Sequence, residues 1–96
     1  FSLAYALHLA RRHLEASRAL IDLLRCAEVP RARALLSIVV GEMGMVDEAE
    51  RHARKACADA AEDPFPVQAL VRALSWQLRH REAVAAIEGF LGAVKP

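Results

Sequence analysis

Threonine and asparagine are absent from the 96 residues, and glycine, proline and the aromatic residues are scarce, with four, four and five copies. Because strands favour β-branched and aromatic residues, this poverty argues against a β-sheet. Alanine and leucine dominate instead, with 20 and 13 residues, and such side chains lose little rotamer freedom in a helix. The composition therefore predicts an all-α chain, and the length predicts a single domain over residues 1–96.

Neither sign of charge predominates, since 13 basic and 12 acidic residues give a net charge of only +1. A value this small does not favour a nucleic-acid-binding protein. The charge is unevenly distributed, with +3 over residues 1–33, −4 over 42–63 and +2 over 64–96. This pattern is typical of solvated helix faces, although the basic first third would also suit docking to a partner.

Cysteine is limited to Cys26 and Cys57, whose spacing favours neither a metal site nor a disulfide framework. Both are interpreted as small buried hydrophobic residues. No apolar run reaches the roughly 18–20 residues that a membrane span requires. We therefore expect a reducing, cytoplasmic location. The chain begins at Phe1 rather than at methionine, so we also expect residues ahead of it in the native protein.

The spacing of apolar residues predicts six helices with very short joints. They are expected over residues 1–10, 13–26, 30–43, 47–61, 64–78 and 82–91. Gly44 suits a left-handed helix end, Asp47 with Glu50 matches a capping box, and Asp63 should cap the fifth helix. The third helix is apolar nearly all round, which predicts that it is central and buried.

Small residues recur with a fixed period, because Ala16, Ala49 and Ala83 begin equivalent helices 33 and 34 residues apart. A period near 34 with two helices per period is typical of a helical-repeat array. It predicts three helical hairpins, over about residues 1–29, 30–63 and 64–96, each burying its open face on the next. The alternative is an unrelated six-helix bundle with accidental spacing.

The middle unit resembles the tetratricopeptide repeat family in Leu36-Ser37, Val40, Gly44 and Ala49. The third and first units match less completely, since Leu78 and Arg11 stand where the family has its turn glycine. The resemblance implies that the hairpins stack in a right-handed superhelix. It also implies that the first helix of each pair lines a concave surface that binds another polypeptide.

The groove-facing positions implied by this resemblance come from the first, third and fifth helices. They are Phe1, Tyr5, His8 and Leu9, then Arg31, Ala34, Ile38, Gly41 and Glu42, then Phe65, Gln68, Arg72, Ser75 and Trp76. Four of the five aromatic residues belong to this set, and aromatic residues are enriched in binding hot spots.

An apolar groove floor with Arg31, Glu42 and Arg72 as polar anchors suits an amphipathic helix of a partner. Gly41 would let a ligand backbone come close. In the alternative interpretation Phe1 and Phe65 cap hairpin ends, and Trp76 fills a gap between repeats.

The sixth helix remains apolar at Val84, Ile87, Phe90 and Leu91, although the last unit of an array needs a polar outer face. A partner, a continuation of the chain or self-association would cover these residues.

Catalytic and cofactor motifs are not evident in the sequence. The four histidines lack metal-ligand spacing, and there is no glycine-rich phosphate loop. Cys57 and His52 lie a turn and a half apart without a third group to orient them. We therefore expect neither an enzyme nor a cofactor or metal site, and we interpret the histidines as surface or joint residues.

The expected function is protein binding, and two forms of it stay open. The small size and the layout resemble type III secretion chaperones for a needle subunit. That resemblance implies that the groove holds the subunit's amphipathic C-terminal helix, often with a second small helical chaperone. The alternative is a fragment of a larger regulator or scaffold that acts as an interaction arm. RNA binding is disfavoured by the weak charge of the predicted groove.

Overall fold

The computed structural model describes residues 2–9 and 11–93, and within these ranges it contains six α-helices and no strand. The helices are α1 (Ser2–Leu9), α2 (His13–Cys26), α3 (Pro30–Glu42), α4 (Val46–Asp59), α5 (Pro64–Trp76) and α6 (His80–Ala93). The all-α prediction is confirmed. Across the described ranges, no helix has both the length and the apolar character that crossing a lipid bilayer demands. Phe1 lies outside the described residues.

The helix ends agree with the sequence in one case and differ in another. The Asp63 carboxylate accepts a hydrogen bond of 3.0 Å from the Phe65 amide, so the predicted cap of α5 is confirmed. The predicted capping box at the start of α4 is wrong, because Met45 is the N-cap residue and no side chain accepts a capping hydrogen bond there. Glu50 instead accepts hydrogen bonds from side chains of the segment between α5 and α6.

The three turns that follow α1, α3 and α5 have the same geometry. Arg11, Gly44 and Leu78 adopt φ angles of 63°, 95° and 59°, in the left-handed region. Each donates its amide to the carbonyl three residues earlier at 3.0 Å, and the next amide bonds to the carbonyl five residues before it. This pattern satisfies carbonyls that the end of a helix leaves unpaired. The left-handed end predicted at Gly44 is confirmed, and non-glycine residues adopt it twice more.

Each helix packs against the next helix in the chain, and α3 also packs against α5. The centre is α3, whose buried residues are Ala32 and the run 34–41. Apolar side chains all round this helix need neighbours on several sides, and α2, α4 and α5 provide them. The prediction that the third helix is central is confirmed.

The buried side chains form two clusters. The first contains Ala4, Ala16, Leu20, Ala32, Leu35, Leu36, Val39, Val40, Ala49 and Ala73. The second contains Ala34, Ile38, Ala53, Ala56, Ala69, Leu70, Leu74 and Ala83. Phe65, half-buried, packs against both clusters. The many alanines allow close approach of the helices, and the buried Ser37 hydroxyl donates to the Ala49 carbonyl at 2.6 Å across one such crossing.

Candidate functional site

An open pocket of about 600 Å³ lies between the turn after α1 and the C-terminal parts of α3 and α5. We call it the turn pocket. Its lining residues are Arg11, His13, Gly41, Glu42, Gly44, Arg72 and Trp76. Four of them, Gly41, Glu42, Arg72 and Trp76, belong to the groove predicted from the sequence. The other three, Arg11, His13 and Gly44, were not predicted because they lie in or next to the turns rather than along the first helices of the pairs.

Glu42 is surrounded by basic side chains of its own chain. Its Oε1 lies 3.2 Å from both His8 Nδ1 and His13 Nε2, and its Oε2 lies 3.3 Å from Arg11 Nη1. His8 Nδ1 is buried, and its contact with the Glu42 carboxylate lacks hydrogen-bond geometry. That nitrogen therefore has the nearby negative charge but no hydrogen bond among the described residues. Glu42 therefore fastens α3 to the first two helices. The expectation that it anchors a ligand loses its basis, and His8 and His13 are largely shielded rather than surface residues.

The space above Gly41 is filled by the indole ring of Trp76. A Cβ atom added at Gly41 would lie 2.0 Å from Trp76 Cζ3, closer than any side chain tolerates. The absence of a side chain thus serves the packing of α5 against α3, and not the approach of a ligand backbone as the sequence suggested. Trp76 remains 39% exposed, so its outer edge is still open to a partner.

Arg31 is also occupied within the chain. Its guanidinium donates two hydrogen bonds to the Asp63 carboxylate, at 2.7 and 3.0 Å, and lies 5.8 Å from the centroid of the Phe65 ring. The hydrogen bond to Arg31 holds the pKa of Asp63 below its usual value, and the same bond raises the pKa of Arg31. Arg31 and Phe65 therefore brace the start of α5 and are not free anchors.

Arg72 is the predicted anchor that stays available. Its side chain is exposed, and it makes no ion pair or hydrogen bond within the part of the chain that the structure describes. Tyr5 is exposed as well, with its ring 6.2 Å from that of His8. Arg72 and Trp76 line the turn pocket, and Tyr5 neighbours it through His8, whose Nδ1 is 3.2 Å from Glu42 Oε1.

The remaining groove residues are placed differently. Ala34 and Ile38 are buried in the second cluster, because α5 covers them, and so they line no surface. Gln68 is exposed but lines another groove, Leu9 is exposed, and Ser75 is half-buried.

A second groove, of about 350 Å³, lies between α5 and α6, and we call it the end groove. Its lining is apolar apart from one glutamine: Pro64, Val67, Gln68, Val71, Ile87, Phe90 and Leu91. Ile87 and Leu91 are exposed, in agreement with the apolar outer face expected for the sixth helix. Within residues 2–9 and 11–93 no other element covers this groove.

Side chains that could hold a metal ion are not brought together in the described ranges. The described residues contain no set of three or more histidine, cysteine, aspartate or glutamate side chains arranged to hold a metal ion. Burial raises the pKa of the Cys57 thiol, which makes it a poorer nucleophile at neutral pH. Cys26, expected to be buried, is exposed at the last residue of α2.

His52 lies against Arg33 rather than serving Cys57. Its Nδ1 is 2.8 Å from Arg33 Nη1. Burial lowers the pKa of His52, and the neighbouring guanidinium lowers it further.

Comparison of the chain with family models, with curated proteins and with solved structures yields no match. No relative therefore contributes a function, and the turn pocket and the end groove are the surfaces from which one is inferred.

Proposed function

We propose that the chain is a tetratricopeptide-like array of three helical hairpins, stacked in a right-handed superhelix, that binds a helix of another protein. The three turns each contain one residue in the left-handed conformation and make the same hydrogen bonds, and their spacing supports a repeat of 33 to 34 residues. The packing of α3 against both α4 and α5 supports stacking in register, because the first helices of neighbouring pairs are adjacent in such an array. Left-handed ends are common in helical proteins, so the support for a repeat lies in their regular spacing of 33 and 34 residues.

The observation that carries the binding proposal is the turn pocket, which Arg72 and Trp76 line, together with the exposed Tyr5, whose ring lies 6.2 Å from that of His8. Tryptophan, tyrosine and arginine are the residues most enriched in interface hot spots. An acidic side chain of a partner that meets Arg72 breaks no existing ion pair among the described residues. The bound element is therefore an amphipathic helix, with its apolar side on the two aromatic rings and an acidic residue at Arg72.

The function that fits such a module best is sequestration of a self-assembling helical protein. Apolar area that the partner would bury against its own copies is buried in the groove instead, at about 25 cal/mol per Å². The size and layout favour a chaperone of a type III secretion needle subunit, acting without catalysis and with a second small helical chaperone as a further partner. The alternative, an interaction arm of a larger regulator or scaffold, is favoured by the apolar end groove.

A synthetic peptide with the sequence of a needle subunit's C-terminal helix tests the proposal. Trp76 is the only tryptophan, so its emission should shift to the blue as the peptide displaces water from the ring. Tyr5→Ala and Arg72→Glu should each weaken binding about tenfold or more, as hot-spot residues do. Val84→Ala is the matched control, since Val84 is exposed on α6 and lines neither surface.

Two results would contradict the proposal. If Trp76→Ala unfolds the chain while Tyr5→Ala and Arg72→Glu bind like the wild type, the aromatic groove is not the binding surface. If the peptide does not bind at all, the needle-subunit chaperone is excluded. Recovery of the chain from its native cell only within a longer polypeptide would then favour the regulator arm.

A further inference from the structure

An apolar stripe on α1 has no partner in the described part of the chain. Leu3, Ala6 and Leu9 are all exposed, the two leucines by 69% and 65%. The stripe is regular, because its residues stand three apart along one helix. Side chains of this kind normally lie against a neighbouring element.

The positions in α3 and α5 that are equivalent to Leu3 and Ala6 are buried, whereas those in α1 are exposed. Counted back from the three equivalent turns, Leu3 and Ala6 correspond to Leu36 and Val39 in α3, and to Leu70 and Ala73 in α5. All four of these counterparts are buried. Leu36 and Val39 share the first cluster with Leu20 of α2, and Leu70 shares the second with Ala53 of α4. This register therefore contributes to the packing of a first helix on the hairpin before it.

The end groove corresponds to the surfaces on which α3 and α5 pack, but none of the described helices packs on it. Its residues Ile87, Phe90 and Leu91 stand where α4 has Ala53, Ala56 and Cys57 and where α2 has Leu20, Leu23 and Leu24. The α2 residues pack against the buried side of α3, and the α4 residues pack against that of α5. The α6 residues meet no following helix among those described.

We propose that a second copy of this chain inserts Leu3 and Ala6 of its α1 into the end groove. Leu9 is not part of this contact, because its counterparts Glu42 and Trp76 lie outside both buried clusters. The contact would continue the packing of α3 on α2 and of α5 on α4 from one copy into the next. Such a head-to-tail contact uses two different surfaces, so each added copy leaves one of each kind free. The chain therefore assembles into open filaments or closed rings, independently of whether the turn pocket binds a partner.

Two single-face variants test this assembly by sedimentation equilibrium over a range of concentrations. The wild type should rise from the monomer mass of 10.5 kDa to several multiples of it as concentration increases. Leu91→Glu blocks the end groove and Leu3→Glu blocks the stripe, and each variant alone should stay monomeric. An equal mixture should form a one-to-one dimer and go no further, because each variant keeps the surface that the other lacks.

Leu14→Glu is the control, since it makes the same substitution at an exposed leucine of α2 that belongs neither to the α1 stripe nor to the end groove, and it should assemble like the wild type. Ile87→Glu and Ala6→Glu test the same two surfaces if circular dichroism shows that either first variant fails to fold. A wild type that remains monomeric at millimolar concentration overturns the proposal. So does assembly that Leu91→Glu abolishes and Leu3→Glu leaves intact, because that result indicates a symmetric α6 contact.

Discussion

Replacing Leu78 by glycine should stabilise the protein, because Leu78 is held at a φ of 59° in the turn between α5 and α6. The left-handed conformation costs an L-residue about 1–2 kcal/mol. Glycine escapes that cost but loses about 0.5–1 kcal/mol through the greater freedom of its unfolded chain. The Leu78 side chain is 77% exposed, so its removal sacrifices little buried apolar area. We expect a net gain of about 0.5–1 kcal/mol, or a rise in Tm of about 2–8 °C.

The reverse change at the equivalent turn should destabilise. Gly44 has a φ of 95°, and a Cβ added there meets nothing within 4 Å. Gly44→Ala should therefore cost about 0.5–1 kcal/mol, because the left-handed penalty of alanine exceeds what it gains from the smaller freedom of its unfolded chain. Gly89 provides a matched comparison, because its added Cβ also meets nothing within 4 Å but it lies inside α6. Gly89→Ala should stabilise by about 1 kcal/mol, since alanine favours a helix over glycine.

Urea unfolding followed by far-UV circular dichroism measures all of these changes, provided that the slope with denaturant stays the same. Leu78→Ala separates conformation from side-chain loss. It keeps the left-handed penalty and should lie within about 0.5 kcal/mol of the wild type. A Leu78→Gly variant with a lower midpoint, or a Gly44→Ala variant with an unchanged one, would refute the reasoning. The equivalence of the three turns, on which the proposed repeat rests, would lose support with it.

Three further predictions follow from the packing and the charges. Gly41→Ala should destabilise by about 1–3 kcal/mol, as overpacking does, because the new methyl group meets the Trp76 ring; an unchanged urea midpoint would contradict this. Ala49→Leu should cost at least as much, since Ala49 is fully buried, and loss of cooperative unfolding is the measurable sign. The bond to Arg31 lowers the pKa of Asp63 in the folded protein, so its stabilisation is present above the unfolded pKa of about 3.9 and is lost as pH falls through the folded value. Asp63→Asn should therefore flatten the fall in unfolding free energy below about pH 5, and an unaltered slope would count against the pair.

The sequence was sufficient for features that depend on neighbouring residues. The spacing of apolar residues located the helices, Gly44 marked a left-handed turn, and Asp63 marked the start of α5. Each of these signals acts within a few residues, through backbone conformation or a local hydrogen bond. Predictions of this kind can be made from the sequence because they do not depend on contacts between distant segments.

The groove could be predicted only in part, because its fate depends on contacts between distant segments. Arg31 resembles a free anchor until Asp63, 32 residues later, accepts its hydrogen bonds. Ile38 resembles a groove residue until α5 covers it. Glu50 was assigned to a capping box, but the segment after α5 offers it an arginine and a glutamine instead. Helical periodicity predicts which residues share a face, but the packing of distant helices decides whether that face is open.

The two buried clusters are connected through a side chain near the start of α5, since Phe65 packs against both of them. In the proposed array, α5 and α6 unfold together with the other helices only as far as contacts between neighbours transmit stability. Truncating this ring should therefore weaken the coupling of α5 and α6 to the rest of the molecule, which Ala73 of α5 also supports from within the first cluster. Hydrogen exchange would then show the amides of the last two helices opening ahead of those of α3 by a wider margin than in the intact protein.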